Sequence, residues 1–140
     1  MTDPALQFAS IDPDADTFQT LRRELGVTSF GINVLSLRPR QRLRVHRHQR
    51  QEEVYLVLEG ELTLIVDGEP HLLGKGDLVR VGPESKRQLT NPSEGRVVVL
   101  ALGGDGVHEG RDGIAWSNWD EEGEGRTPQE VPLPDDLPAT

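Results

Sequence analysis

His46 and His48 stand two residues apart in the stretch VHRHQRQEEVYLVLEG, residues 45–60, and Glu53 follows five residues later. On a strand, residues two apart point to the same face, so the two imidazoles converge. Glu53 opens the next β-rich run, and the turn Gln49–Glu52 returns that run beside the first. Two imidazoles and one carboxylate from adjacent strands form a set suited to Fe(II), Mn, Zn or Ni. Tyr55 and Val57 share the face of Glu53; Tyr55 reads as a core residue rather than a catalytic acid, with a hydroxyl able to contact a ligand. Glu52 reads as a solvated neighbour.

No other chemistry competes with this set. Cysteine is absent, so there is no disulfide, no thiolate nucleophile and no sulfur ligand, and any metal is held by nitrogen and oxygen. The chain has no Gly-x-Ser-x-Gly elbow. GGDG at 103–106 lacks the Lys-Ser/Thr of a phosphate loop and the dinucleotide spacing, and reads as a turn. The net charge of −9 argues against general affinity for nucleic acid or anionic membrane. Six arginines (Arg38, Arg40, Arg42, Arg44, Arg47 and Arg50) crowd one segment without interleaved aromatics. They are expected to pair with acids of the C-terminal tail or of a second subunit; the alternative is that Arg42 or Arg44, in phase with His46 and His48, lines the mouth of the pocket.

The elements that must position these residues are short. From Phe30 onward, β-rich runs succeed one another at about 30–37, 42–48, 53–58, 61–67, 70–73, 77–81, 86–90 and 96–102, separated by Gly60, Asp67-Gly68, Gly74/Gly76, Gly82-Pro83 and Asn91-Pro92. About eight strands at this spacing predict an antiparallel sandwich or barrel. Before them, DTFQTLRREL predicts a helix capped by Asp14 or Asp16, with Phe18, Leu21 and Leu25 on one stripe and Gly26 at its end. After Trp119, seven acids, one Arg and four prolines form either a disordered tail or an extended strap. Trp116 and Trp119 either anchor the strap or fill one end of the core. The organisation is an arm and short helix over 1–29, a barrel over 30–104 and an extension over 105–140. No run is long enough to span a membrane as a helix, and the N-terminus lacks a secretory pattern, so a cytoplasmic protein is expected.

The spacing His46-x-His48-(x)4-Glu53-(x)6-Gly60 resembles the first motif of the cupin superfamily, with Arg40 where a leading Gly is usual. The second cupin motif, Gly-(x)5-Pro-x-Gly-(x)2-His-(x)3-Asn, is similar to GDLVRVGPESKRQLTN. Gly76 and Asn91 are kept. Gly82 replaces Pro, Glu84 replaces Gly, and Arg87 replaces the fourth metal ligand, His. The resemblance covers residues 30–102. It implies a small jelly-roll barrel (a double-stranded β-helix), often dimeric. The superfamily spans dioxygenases, isomerases, decarboxylases and non-catalytic binding proteins, so the fold alone does not choose a function.

Arg87 leaves two arrangements open. A guanidinium stays protonated and has no acceptor, so it is not a ligand. At about 5 Å from a divalent ion, with an effective dielectric of about 20, the repulsion is roughly 6–7 kcal/mol, part of it offset by Glu53. In one arrangement His46, His48 and Glu53 hold a metal, and Arg87 turns aside to grip a small anionic substrate, with Tyr55 lining the pocket. In the other, Arg87 takes the metal's place and pairs with Glu53, leaving a metal-free binding pocket. Gln88 substitutes as a ligand only if the strand slips by one residue, which Asn91 opposes. His71 and His108 read as surface residues, with His108 placed to fold back over the mouth.

Overall fold

The computed structural model describes residues 5–14, 16–104 and 112–138. The chain folds as two five-stranded antiparallel sheets laid face to face. Its strands are β1 (Phe18–Gln19), β2 (Gly31–Leu37), β3 (Val45–His48), β4 (Glu52–Glu59), β5 (Leu62–Val66), β6 (Glu69–Leu73), β7 (Leu78–Val81), β8 (Arg87–Thr90), β9 (Val97–Gly104) and β10 (Gly113–Trp116). One sheet runs β1-β2-β9-β4-β7 and the other β10-β3-β8-β5-β6. A single helical turn, α1 (Leu21–Leu25), packs outside the first sheet.

Alternation in the sequence produces the inner faces. In β4, Tyr55 and Val57 are buried between the sheets, as are Leu62 and Leu64 of β5. They meet Leu35, Leu89, Val97 and Val99 in one core. In β9 the intervening Val98 is buried as well, because Leu21 and Val34 cover the outer face there. A strand covered on both sides reads as a continuous apolar run, which is why 97–99 is Val-Val-Val.

Two turns depend on left-handed backbone. Asp67 and Gly68 have φ of 49° and 89°, the two positive values a two-residue hairpin needs between β5 and β6. Gly60, between β4 and β5, has φ of 80°, and a Cβ there would lie 2.3 Å from the Arg96 carbonyl oxygen. Arg40, at the position of the absent leading Gly, takes φ of 64° without being Gly.

Three expectations are corrected. The helix expected over 16–25 is confined to Leu21–Leu25, because Phe18–Gln19 instead pairs with Val34 and Leu35 of β2. Its N-cap is Thr20, without a side-chain cap, rather than Asp14 or Asp16. Two further strands, β1 and β10, join the eight expected. The helix does end at Gly26, in the left-handed conformation.

The C-terminal segment is the strap of the two alternatives. Trp116 is buried in β10 and donates to the Gly123 carbonyl, while Trp119 donates to Gln88 Oε1. Beyond a 3-10 turn at Pro128–Glu130, Val131 is buried, and the chain then docks on the arginine-rich segment. Arg38 pairs with Asp136, Arg42 donates to the Asp135 carbonyl, Arg44 to the Val131 carbonyl, and Leu137 N–H donates to the Arg40 carbonyl.

Candidate functional site

β3 and β4 bring the three donors together. His46 and His48 face the interior from β3, and Glu53 faces them from β4; the two strands are not neighbours as the turn Gln49–Glu52 suggested but lie in opposite sheets, so the donors meet across the interior. His48 Nε2 lies 3.1 Å and His46 Nε2 3.7 Å from Glu53 Oε1. The donor atoms of all three lie within 4.8 Å of one another, and among the described residues they form the one such cluster. The rings of His46 and His48 meet edge to face, with centroids 5.4 Å apart.

Arg87 sits behind this cluster. It faces His46 across the β3–β8 ladder and is fully buried, inward as the register of Asn91 predicts. Asn91 is itself buried, its amide donating to the carbonyls of Leu37, Arg38 and Gly95. All three guanidinium nitrogens are engaged. Nη2 donates to Glu53 Oε1 at 2.7 Å and Nε to Tyr55 Oη at 3.3 Å, while Nη1 faces the carbonyls of Ser85, Gly82 and Pro83 at 2.7, 3.2 and 3.4 Å. Tyr55 Oη in turn donates to Glu53 Oε1 at 2.6 Å. The altered second motif is thus rebuilt around a cation. Where the motif has Pro-x-Gly, the loop Gly82–Ser85 turns carbonyls onto the guanidinium.

Burial pushes the Glu53 carboxyl up, but hydrogen bonds from His46 and His48 and their charge outweigh it and hold the group well below the usual carboxylate range. The Tyr55 hydroxyl is pushed well above its ordinary value by burial and by the neighbouring Glu53 charge, against the opposing pull of Arg87. Glu53 is therefore an anion and Tyr55 a neutral donor at neutral pH.

The donor set fits a divalent ion. Two metal bonds of about 2.1 Å at tetrahedral or octahedral angles put their donor atoms about 3.0–3.4 Å apart. The His48–Glu53 distance of 3.1 Å falls in that range and the His46–Glu53 distance of 3.7 Å lies just above it. His46 Nδ1 lies 3.2 Å from the Arg44 carbonyl, a contact that places the proton on Nδ1 and leaves Nε2 as the ligating nitrogen. A carboxylate has about four acceptor sites; Tyr55 and Arg87 both occupy Oε1, the oxygen that the histidines approach, so a metal there would be bound through Oε2 or would displace one of these two donors. The guanidinium lowers the affinity of such a site without removing its ligands.

The cavity above the cluster has a volume of about 280 Å³ and is walled mostly by apolar side chains, among them Phe18, Leu35, Leu89 and Pro128, with His46, His48, Glu53 and Tyr55 in its lining. Arg87 is not part of that lining. A larger cleft of about 490 Å³ lies between β6 and β7 and takes in His71, but no cluster of metal-ligating groups converges there among the described residues. Gln88 is on the opposite face of β8, held by the Leu43 carbonyl and Trp119. Glu52 is exposed and pairs with Arg80. His108 lies outside the described residues.

One neighbour escaped sequence reasoning. Asp112, just before β10, accepts hydrogen bonds from the backbone N–H groups of Arg50 and Gln51 and lies 3.8 Å from His48 Nδ1, a buried ring nitrogen without a hydrogen-bond partner. Nothing in its local sequence marks it, because its link to the β3–β4 turn joins residues about sixty apart in the chain.

Comparison with known proteins gives a consistent result. Residues 33–103 match the family model described as Cupin domain. No curated protein matches the chain. A cupin protein from Bacteroides fragilis superposes with a TM-score of 0.66 at 26% identity, covering 85% of this chain and 97% of that one. A sugar phosphate isomerase of the cupin superfamily from Silicibacter pomeroyi gives 0.61 at 24% identity, covering 72% and 65%. A salicylate 1,2-dioxygenase from Pseudoaminobacter salicylatoxidans gives 0.50 at 24%, covering 54% of this chain and 22% of that one.

Proposed function

This chain belongs to the cupin family, and from that premise we propose that its barrel holds a divalent transition metal on His46, His48 and Glu53 and uses it on a small anionic molecule. The observation that carries the reading is the convergence of the three donors, close to ligand spacing, in the wall of a half-open cavity. The chain's own residues do the following. Tyr55 and Arg87 hold Glu53 in one orientation, and His46 and His48 keep it ionised. The Arg44 carbonyl fixes the His46 tautomer. The apolar wall limits water at the donors. A metal held there acts as a Lewis acid toward a bound oxygen or activates oxygen. Isomerisation and oxygenation, the activities by which two structural neighbours are named, are both compatible with this site. Arg87 acts here as a positioning residue for Glu53, since its nitrogens are already committed.

A second reading is favoured by one contact. Arg87 Nη2 lies 2.7 Å from the oxygen that both histidines approach. If that ion pair neutralises Glu53 fully, the pocket binds its small molecule without metal and without turnover.

Metal content per chain, measured by elemental mass spectrometry on untagged protein, separates the two. Near-stoichiometric metal that disappears in His46→Ala/His48→Ala supports the metal site. Little metal in the wild type, with uptake by Arg87→His, overturns it in favour of the metal-free pocket. We also take the protein to be a cytoplasmic homodimer, with the outer strands β6 and β7, each at the end of its sheet, available to a second copy. A monomeric mass by light scattering would remove that part. No helix among the described residues is long and apolar enough to cross a membrane.

A further inference from the structure

We propose that Arg44 is the anion-recognising residue of this cavity and that its ligand is a small organic monocarboxylate with an apolar body. The inference rests on the cavity being the ligand site, as read above, and not on the metal.

Arg44 lies at an irregularity in the β3–β8 pairing. Arg42 bridges Thr90 and His46 faces Arg87, so one extra residue is accommodated on the β3 side. Bulges of this kind re-aim a side chain, and they recur beside functional sites. Here Arg44 is brought into the wall of the cavity that also contains His46, His48 and Glu53. Its Nε donates to the Val131 carbonyl at 2.5 Å, and Val131 is itself buried, so the strap fixes the base of the guanidinium. Among the described residues no carboxylate pairs with it, whereas Arg38, Arg87 and Arg126 each have one.

Charge balance then points to the ligand. Glu53 is matched by Arg87 at 2.7 Å, and that pair contributes no net charge to the cavity. The half-buried Arg44 is left as a surplus positive charge facing a small space. A partly desolvated cation without a partner is costly, and an anionic ligand removes the cost. With Nε taken by the strap, the two terminal nitrogens remain, and their fork matches a carboxylate bidentately. Away from the His46, His48, Glu53, Tyr55 and Asn33 side chains the wall, including Phe18, Leu35, Leu89 and Pro128, is apolar and suits a hydrocarbon body. At about 280 Å³ the space lies at the small end for ligand sites.

The test is calorimetric titration of the full chain with monocarboxylates from propionate to benzoate and with the corresponding neutral amides, on wild type, Arg44→Gln and Arg44→Lys. At least one acid is expected to bind about 10–100-fold more tightly than its amide, the equivalent of one charge-assisted bidentate contact. Arg44→Gln is expected to abolish that preference and Arg44→Lys to keep part of it. Amides binding as well as acids, Arg44→Gln binding acids like the wild type, or no acid binding the wild type at all would each overturn the proposal. The acid–amide comparison on wild type stands even if a variant fails to fold. Metal content read on the same samples keeps the two proposals apart. An acid preference in metal-free protein leaves Arg44 standing while the metal reading falls, and bound metal without an acid preference does the reverse.

Discussion

Replacing Arg87 by Met keeps roughly the length and volume of the side chain but removes its charge and every donor. The guanidinium is fully buried and satisfies the Glu53 carboxylate, Tyr55 Oη and the carbonyls of Gly82, Pro83 and Ser85. Breaking a buried ion pair from one side typically costs about 3–5 kcal/mol, because the remaining charge is left without a partner. Carbonyls left without a donor add to this unless water reaches them. A domain of this size has a total stability of about 5–15 kcal/mol, so the loss is a large fraction of it. At a few degrees per kcal/mol, the melting temperature is expected to fall by roughly 10–20 °C. Glu53→Gln turns the experiment into a cycle. If the pair is the source of the cost, Arg87→Met/Glu53→Gln is less destabilised than the sum of the single changes by about 2–3 kcal/mol. Urea denaturation monitored by Trp fluorescence measures all four proteins. A single-mutant cost below about 1 kcal/mol, or additivity within about 0.5 kcal/mol, would refute the assignment of Arg87 and Glu53 as a coupled buried pair.

Three further outcomes follow from local geometry. Gly60→Ala places a Cβ 2.3 Å from the Arg96 carbonyl oxygen at a φ of 80°, and is expected to cost at least about 2 kcal/mol in denaturant titration; a neutral result would show that the turn relaxes. Arg40→Gly relieves a left-handed φ of 64° and removes only an exposed ion pair with Glu94. It is expected to leave stability unchanged or raise it by up to about 1 kcal/mol, and clear destabilisation in the same assay would contradict this. For the Asp112 carboxyl, burial pushes upward, but backbone hydrogen bonds from Arg50 and Gln51 and the His48 charge hold it below its ordinary value. A depressed folded-state value means that its contribution is complete above about pH 4 and is lost as pH falls through the folded value. Asp112→Asn should flatten that part of a stability–pH profile, and an unchanged acid limb would remove Asp112 as its source.

Most of the barrel was legible because its signals are local. Alternation and turn residues located the eight strands from Gly31 to Gly104, and Asp67-Gly68 located its hairpin. What failed was non-local. The stripe Phe18, Leu21 and Leu25 suits a helix, yet the free edge of β2 offers Phe18–Gln19 a ladder, and tertiary pairing overrides the helical period. β10 shows no alternation and exists because β3 has an edge to pair with. For the site, the two-residue spacing placed His46 and His48 on one face, and the kept Asn91 placed Arg87 inward. The carbonyl shell from Gly82 to Ser85 was not legible, since it depends on backbone orientation rather than residue type. Asp112 was hidden by sequence distance.

The Arg87–Glu53 contact also constrains how this sequence can drift. Each residue is the other's counter-charge in a setting where water cannot substitute, so either one changed alone strands a buried ion. Most single-step neighbours of this chain at those two positions are therefore selected against before any effect on binding is felt. Loss of the pair requires a near-simultaneous exchange for two apolar residues, or the capture of a cation that replaces the guanidinium. Arg87→His is the one-residue exit of the second kind, because a metal ion would then supply the positive charge that Glu53 needs. In descendants and relatives of this chain that keep Glu at position 53, position 87 is expected to be Arg or His, with a neutral, non-ligating residue there as the rare case.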